Sequence, residues 1–283
     1  MFSPQAVATL AHDDVVRALH EDIGTGDLTA SLIDPACHAH ASVVAREAAV
    51  ICGIPWAEAA LHALDPDTCL HWHVTEGEYC RANTSIVEIQ GHARALLSAE
   101  RTALNFLQLL SAVATKTRHY VDTIAGTGAC IVDTRKTLPG LRMAQKYAVH
   151  IGGGINHRTG LYDAILIKEN HITAAGGVTA ALQAAHAVAA PVKFVEIEVE
   201  TLAQLAEALD AGARMVLLDN MPLSMLRDAV TLNAGRAILE ISGGVTLHGL
   251  RALAETGVDR ISIGTLTKDI QAVDFSMRLQ QMG

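Results

Sequence analysis

The chain has 283 residues, half of them hydrophobic and only 4% aromatic, which is enough for a large buried core and leaves room for two domains. Its 30 acidic and 21 basic side chains give a formal net charge of -9 with no basic block, which excludes a nucleic-acid groove or an anionic membrane surface as partner for the molecule as a whole. Any anion site must be a local cluster of cations in an acidic protein.

The N-terminal stretch MFSPQAVATLAHDDVV lacks a basic segment with an apolar core behind it, and nowhere do 18 apolar residues run without a charge, so the expected location is the cytoplasm. Cys37, Cys52, Cys69, Cys80 and Cys130 are odd in number, scattered and free of any C-x-x-C pair, so reduced thiols are expected and not a disulfide framework or zinc site. Residues 40 to 95 contain alternating β-branched stretches (ASVVAREAAVICG, HWHVTEGEYC, TSIVEIQG) broken by Gly and polar turns, the pattern of an antiparallel sheet with one covered face. The pairs His38/His40 and His71/His73 on these strands read as surface histidines, because a metal site needs more than one such pair. SAERTALNFLQLLSAVATKTRHYVDTIAG then predicts one long helix with Ser98 as N-cap and an apolar stripe through Leu104, Leu107, Leu110 and Val113.

From about residue 128 short β-rich runs alternate with helical stretches, as in repeated βα units around a parallel sheet. The runs are Ala129–Thr134, Ala164–Lys168, Phe194–Val199, Met215–Asp219, Ala237–Ser242 and Arg260–Gly264, with helices expected from Thr201 to Gly212 and Thr246 to Gly257. Six strands are too few for a closed eight-unit barrel, so an incomplete barrel is expected.

Parallel barrels build their sites at the C-terminal ends of the strands, and here almost every end is charged or glycine-rich. Arg135, Lys136, Arg158 and Lys168 with His157 make a basic group fit to clamp a small polyanion. Glu198 and Asp219 make an acidic group suited to sugar hydroxyls or a hard cation such as Mg2+. Glu196, Glu198 and Glu200 alternate along one strand, so any of the three could be the inward one, and buried carboxylates there need partners. The turns Ser242-Gly243-Gly244 and Ser262-Ile263-Gly264-Thr265 end the last two strands, where barrels often hold a phosphate on backbone N–H groups. Arg142 and Lys146, one helical turn apart, either decorate a helix or approach a phosphate.

The motifs ERTALN (100–105), DTRKTLPGLR (133–142), GGGINHR (152–158), LIKENH (166–171) and LLDN (217–220), with EDIGTGDLT (21–29) and ISGGV (241–245), resemble the quinolinate phosphoribosyltransferase family over nearly the whole chain. The resemblance implies an N-terminal α/β sandwich over residues 1–112 with a C-terminal helix, 270–283, packed on it, and an open, incomplete α/β barrel over 113–269. It implies transfer of phosphoribosyl from phosphoribosyl pyrophosphate to quinolinate with decarboxylation, in a homodimer whose subunits share active sites or in a higher assembly of such dimers. Arg135, Lys136, His157, Arg158 and Lys168, with Thr134 beside them and Arg101 from the neighbouring subunit, would hold quinolinate. Glu198 and Asp219 would face the ribose hydroxyls and Mg2+, and Ser242, Gly243, Gly244, Ser262, Ile263 and Gly264 the 5′-phosphate. Lys136, Lys168, Glu198 and Asp219 would carry the chemistry, with either lysine assisting decarboxylation. A nicotinate phosphoribosyltransferase of the same fold, or a non-catalytic barrel that binds a phosphorylated metabolite, are the alternatives.

Overall fold

The computed structural model of the protein describes residues 2–188 and 191–281. Its backbone contacts divide the chain into two units, Met1–Arg118 with Leu138–Gly153 and Asp269–Gly283, and His119–Thr137 with Gly154–Lys268. The contacts divide at 118/119 and 268/269, where 112/113 and 269/270 are expected, and the segment Leu138–Gly153 joins the first unit.

The first unit opens with α1 (Pro4–Ile23), whose N-terminus is capped by the Ser3 hydroxyl accepting from the Ala6 N–H at 3.3 Å and whose end is set by Gly24 at φ 56°. Strands β1 (His38–Ala45), β3 (Cys69–Trp72) and β5 (Thr84–His92) pair antiparallel with β12 (Phe275–Gln281) in the order β12-β1-β5-β3. Ala39, Ala41, Val43 and Ala45 alternate inward along β1 as the pleat requires, and the outward positions carry the histidines. In a short ribbon β2 (Ala49–Val50), which leads into α2 (Ile54–Leu64), pairs with β4 (Tyr79–Cys80). The core gathers Val43, Ala57, Leu61, Val87, Leu104 and Leu107 from sheet and helices.

Three expectations are corrected in this unit. The long helix α3 (Ala93–Thr123) follows β5 with no loop, so Ser98 is no N-cap; its hydroxyl donates to Asp27 Oδ2 at 2.7 Å and thereby ties EDIGTGDLT to the helix. The expected C-terminal helix is instead the strand β12, paired from Phe275 to Gln281 along the free edge of β1; Met282 and Gly283 lie outside the described residues. Alternation of Phe275, Met277 and Leu279 with polar residues is a period of two, a strand signal. Finally, α4 (Arg142–Ile151) belongs here because Tyr147 packs against Trp56 and Phe2, each with ring centroids 5.3 Å away. Lys146 on the same helix is fully buried, so it does not decorate a surface.

In the second unit all six expected strands are present: β6 (Cys130–Val132), β7 (Ile165–Ile167), β8 (Val195–Val199), β9 (Met215–Asp219), β10 (Ile238–Ser242) and β11 (Arg260–Ser262). They form one parallel sheet in the order β6-β11-β10-β9-β8-β7. A closed barrel would join the two ends of this order; instead the free edge of β6 bridges to Ile155 through the Ile155 N–H on the Ile131 carbonyl at 2.8 Å. Helices α5 (Glu169–Ala175), α6 (Val178–His186), α7 (Leu202–Asp210), α8 (Leu223–Asn233), α9 (Leu250–Ala254) and α10 (Thr265–Lys268) fill the connections. Thr201 caps α7 as expected, but α9 starts at Leu250 and not behind Thr246, because Gly249 at φ 88° breaks the chain direction first. No helix among the described residues is long and apolar enough to cross a membrane.

Candidate active site

The six C-terminal strand ends of the second unit surround a cavity of about 160 Å³ lined by Thr134, Arg135, Lys136, His157, Arg158, Leu166, Lys168, Glu198, Leu217, Glu240, Ser242 and Ser262. Nine of the residues singled out from the sequence therefore meet in one place, with Leu166 and Leu217 as apolar walls. Asp219, Gly243, Gly244, Ile263 and Gly264 stand at the same strand ends without lining the cavity. Arg101 lies on α3 in the first unit with its side chain exposed.

Arg135 and Arg158 define the electrostatics. Burial and then the neighbouring Arg135 guanidinium disfavour the charged form of Arg158, a cost only partly offset by Glu196 and Asp163. Arg135 Nε is buried without a hydrogen-bond partner. Two crowded guanidiniums with an unused inward donor are an arrangement that an anion would relieve. The loop that carries Arg158 is rigid: Asp163 accepts from the Thr159 and Gly160 N–H groups and from the Thr159 hydroxyl, and pairs with Lys193 at 3.0 Å. Those bonds hold the Asp163 carboxyl below the usual carboxylate range against the opposing effect of its burial.

Across the cavity Glu198 is the carboxylate that faces in. It is 9% exposed and pairs with Lys168 Nζ at 2.9 Å, whereas Glu200 is exposed beyond the end of β8. Glu196 is wholly buried, and its Oε2 lies 2.7 Å from His157 Nε2. The sequence reading missed Glu240, also wholly buried, whose Oε2 is 2.9 Å from Arg260 Nε and whose Oε1 accepts from the Ser262 hydroxyl. Burial raises the carboxyls of both Glu196 and Glu240 to about 7; Glu198 adds to the rise at Glu196 and Glu196 to that at Glu240, while Arg260 lowers both. A glutamate in the middle of ILEIS, an otherwise apolar central strand, is the signal that could have found it. Among the described residues, His157, Glu196 and Glu240 are the three-donor group close enough to resemble a metal site; Glu198 and Asp219 do not join it.

The glycine turns have steric reasons. A Cβ on Gly243, at φ 99°, would collide with the Asn220 side chain and come within 3.0 Å of its backbone nitrogen, and one on Gly264 would come within 2.9 Å of Lys136 Cδ. Asn220, itself at φ 52°, donates from Nδ2 to Asp219 Oδ2 at 2.7 Å and fixes that carboxylate at the end of β9.

Fold and site together define an α/β-barrel protein with a group of cations and carboxylates gathered at its strand ends. The chain belongs to the quinolinate phosphoribosyl transferase family, whose N-terminal domain matches residues 27–111 and whose C-terminal domain matches residues 113–278. It is 42% identical over 279 residues to the carboxylating nicotinate-nucleotide pyrophosphorylase of Mycobacterium leprae, covering 95% of this chain and 97% of that protein. It is 40% identical over 282 residues to the decarboxylating quinolinate phosphoribosyltransferase 1 of Nicotiana glauca, covering 93% and 80%. The solved nicotinate-nucleotide pyrophosphorylase from Francisella tularensis superposes with a TM-score of 0.93 at 42% identity, covering 96% of this chain and 97% of that one.

Proposed function

We propose that the protein transfers the phosphoribosyl group of phosphoribosyl pyrophosphate to quinolinate and releases pyrophosphate and CO2, giving nicotinate mononucleotide. The observation that carries this reading is the crowded Arg135–Arg158 pair, with Arg135 Nε lacking a partner, in a cavity with Lys136, His157 and Lys168. So many cations suit a flat ring with two carboxylates better than one with a single carboxylate, and Leu166 and Leu217 offer apolar faces to that ring.

Departure of pyrophosphate from ribose C1 leaves oxocarbenium character on the sugar, which the Glu198 and Asp219 carboxylates favour electrostatically while they hold its hydroxyls. The pyridine nitrogen forms the new bond to C1, and the ring becomes cationic. The bond from C2 to its carboxylate then breaks, CO2 leaves, and the pair left at C2 is stabilised by the adjacent positive nitrogen until it takes a proton, which Lys136 or Lys168 delivers. The 5′-phosphate falls to the Ser242–Gly244 and Ser262–Gly264 turns. Oxygen donors at Glu198 and Asp219 fit Mg2+, which would supply charge neutralisation for the leaving pyrophosphate. Arg101 completes the site of a second copy in a homodimer; exposure of Arg101 and of Leu28, Leu32, Leu161 and Tyr162, four large side chains 74–87% open, supports faces that another subunit covers. All five cysteines are free, which supports a reducing compartment such as the cytoplasm.

The test is to incubate the protein with phosphoribosyl pyrophosphate, Mg2+ and either quinolinate or nicotinate, and to follow nicotinate mononucleotide and CO2. Product with quinolinate alone is expected. Product with nicotinate, or binding of both substrates without pyrophosphate release, would overturn the assignment.

A further inference from the structure

His157 lines the cavity, yet its anchoring lies below it. Its Nε2 is 2.7 Å from Glu196 Oε2 and 3.7 Å from Glu240 Oε1, its backbone N–H donates to Asp133 Oδ1 at 2.8 Å, and its ring stands edge-on to Phe194 with centroids 5.1 Å apart and planes at 83°. Both carboxylates are fully buried, in strands that are otherwise apolar except for Glu198 and Ser242 near their C-terminal ends. Behind them Arg260, the register partner of Glu240 on β11, reaches Glu240 Oε2 at 2.9 Å, and the Ser262 hydroxyl bonds Glu240 Oε1. The three-donor grouping of His157, Glu196 and Glu240 has the look of a metal site, but its charge is already matched. A dication would have to displace Arg260 from Glu240 and would add to a neighbourhood that contains Arg158.

Resting on the reading of the cavity as a dicarboxylate site, we infer that Glu196 and Glu240, with Arg260 behind them, are positioning residues that lock the His157 imidazole at its Nε2 and so fix where it meets the pyridine substrate. The 2.7 Å contact joins Nε2 to a carboxylate that the strand holds in place, and together with the edge-on Phe194 ring it fixes the ring plane. Arg260 and Ser262 in turn hold Glu240, whose Oε1 stands on the same side of Nε2. Glu198, two residues from Glu196 on the same face, turns instead to Lys168 and the opposite half of the cavity. One strand thus supplies a support for one half of the site and a direct ligand for the other.

The predicted signature is a split between the two substrates. Glu196→Gln and Glu240→Gln should each raise the KM for quinolinate about tenfold, with the KM for phosphoribosyl pyrophosphate unchanged within about twofold. Glu196→Leu, which removes the acceptor, should be worse than Glu196→Gln, which keeps an amide oxygen. In a His157→Asn background the Glu196→Gln effect should vanish, because the group it positions is gone. Additive effects of the two substitutions, or equal shifts in both KM values, would overturn the inference. Circular dichroism of Glu196→Gln checks that the fold is retained, and Glu240→Gln stands as an independent test. Calorimetric binding of quinolinate to the unsubstituted protein separates the two readings: no binding and no turnover sinks the substrate assignment, whereas binding with additive substitutions sinks the positioning role alone.

Discussion

Histidine–glutamate contacts occur on both sheets among the described residues, in opposite settings. On the open face of the antiparallel sheet, Glu88 has His73 at 3.4 Å and His40 at 3.8 Å, with side chains 25–48% exposed. In the parallel sheet, His157 meets Glu196 at 2.7 Å with both side chains almost or wholly buried. An antiparallel sheet covered on one face sends every second residue to water, so polar residues there are ordinary and their pairs contribute about 0–1 kcal/mol. A parallel strand is covered on both faces, so a carboxylate there pays a desolvation cost and stays only where cations meet it. The same two residue types therefore mark a surface in one unit and a site in the other, and the setting of the strand decides which.

The largest expected effect lies in the basic cluster. Lys136→Ala and Arg101→Ala should each lower kcat/KM by about a thousandfold, on the scale of other lost charge-stabilising groups. If Arg101 serves the neighbouring subunit's cavity, mixing the two inactive variants after dissociation and reassociation should restore roughly a quarter of the original activity, through mixed dimers that hold one intact site. Absence of recovery, with mixed dimers verified by mass, would place Arg101 outside the partner's site.

A smaller effect with the opposite sign on stability sharpens the contrast between surface and site. Burial and the Arg135 charge together outweigh the attraction of Glu196 and Asp163 for the Arg158 cation. Arg158→Met should therefore lower kcat/KM by about a hundredfold and yet leave unfolding free energy unchanged or raised by about 1 kcal/mol, the pattern of a site kept at a cost to stability. Denaturant unfolding of the ligand-free protein reads this directly; a clear loss of stability would mean that Arg158 holds the fold and not the substrate.

Legibility followed the same division. All six parallel strands and the incomplete barrel could be read from the sequence, because short apolar runs between capped helices have few other meanings. The cations at the strand ends were legible for the same reason. Glu240 and Arg260 were not: they lie inside the runs taken as apolar strand, and only their cross-strand register makes them a pair. The choice among Glu196, Glu198 and Glu200 also needed coordinates, since alternation puts all three on one face and only the strand's end at Val199 separates them by depth. In the first unit the errors were of a different kind. Ser98 looked like a cap because it stands before a helical stripe, but β5 runs into α3 and the helix is already under way. The resemblance implies a helix at 270–283, whereas the alternation there has a period of two, and the edge that the strand covers, that of β1, is distant in sequence.

Acid stability offers a third contrast, on the first unit. Asp65 accepts from the His92 backbone N–H and Nδ1 and from the Asp67 N–H, and the His92 backbone bond foremost holds its carboxyl down at about 2 against the opposing effect of burial. The folded value is below the unfolded one, so the contribution is present above about pH 4 and is lost as pH falls towards 2. It amounts to about 1 kcal/mol once screening by water is allowed for. Asp65→Asn should flatten that acid limb in a pH series of thermal melts and leave the melts near neutrality lower by a similar amount; an unchanged acid limb would assign it to other carboxylates.

The smallest effect closes the comparison with its other member. Glu88→Gln removes the charge shared by His40 and His73 on the open face, where both partners are in water and neither contact is shorter than 3.4 Å. Unfolding free energy should change by less than about 0.5 kcal/mol, and kcat and both KM values should stay as they are. The loss should be greatest at low ionic strength and should fade on adding salt. The equivalent exchange at Glu196 removes one charge of the same kind from the same residue type. A large effect at Glu88, or none at Glu196, would show that burial is not what separates the two sets of contacts.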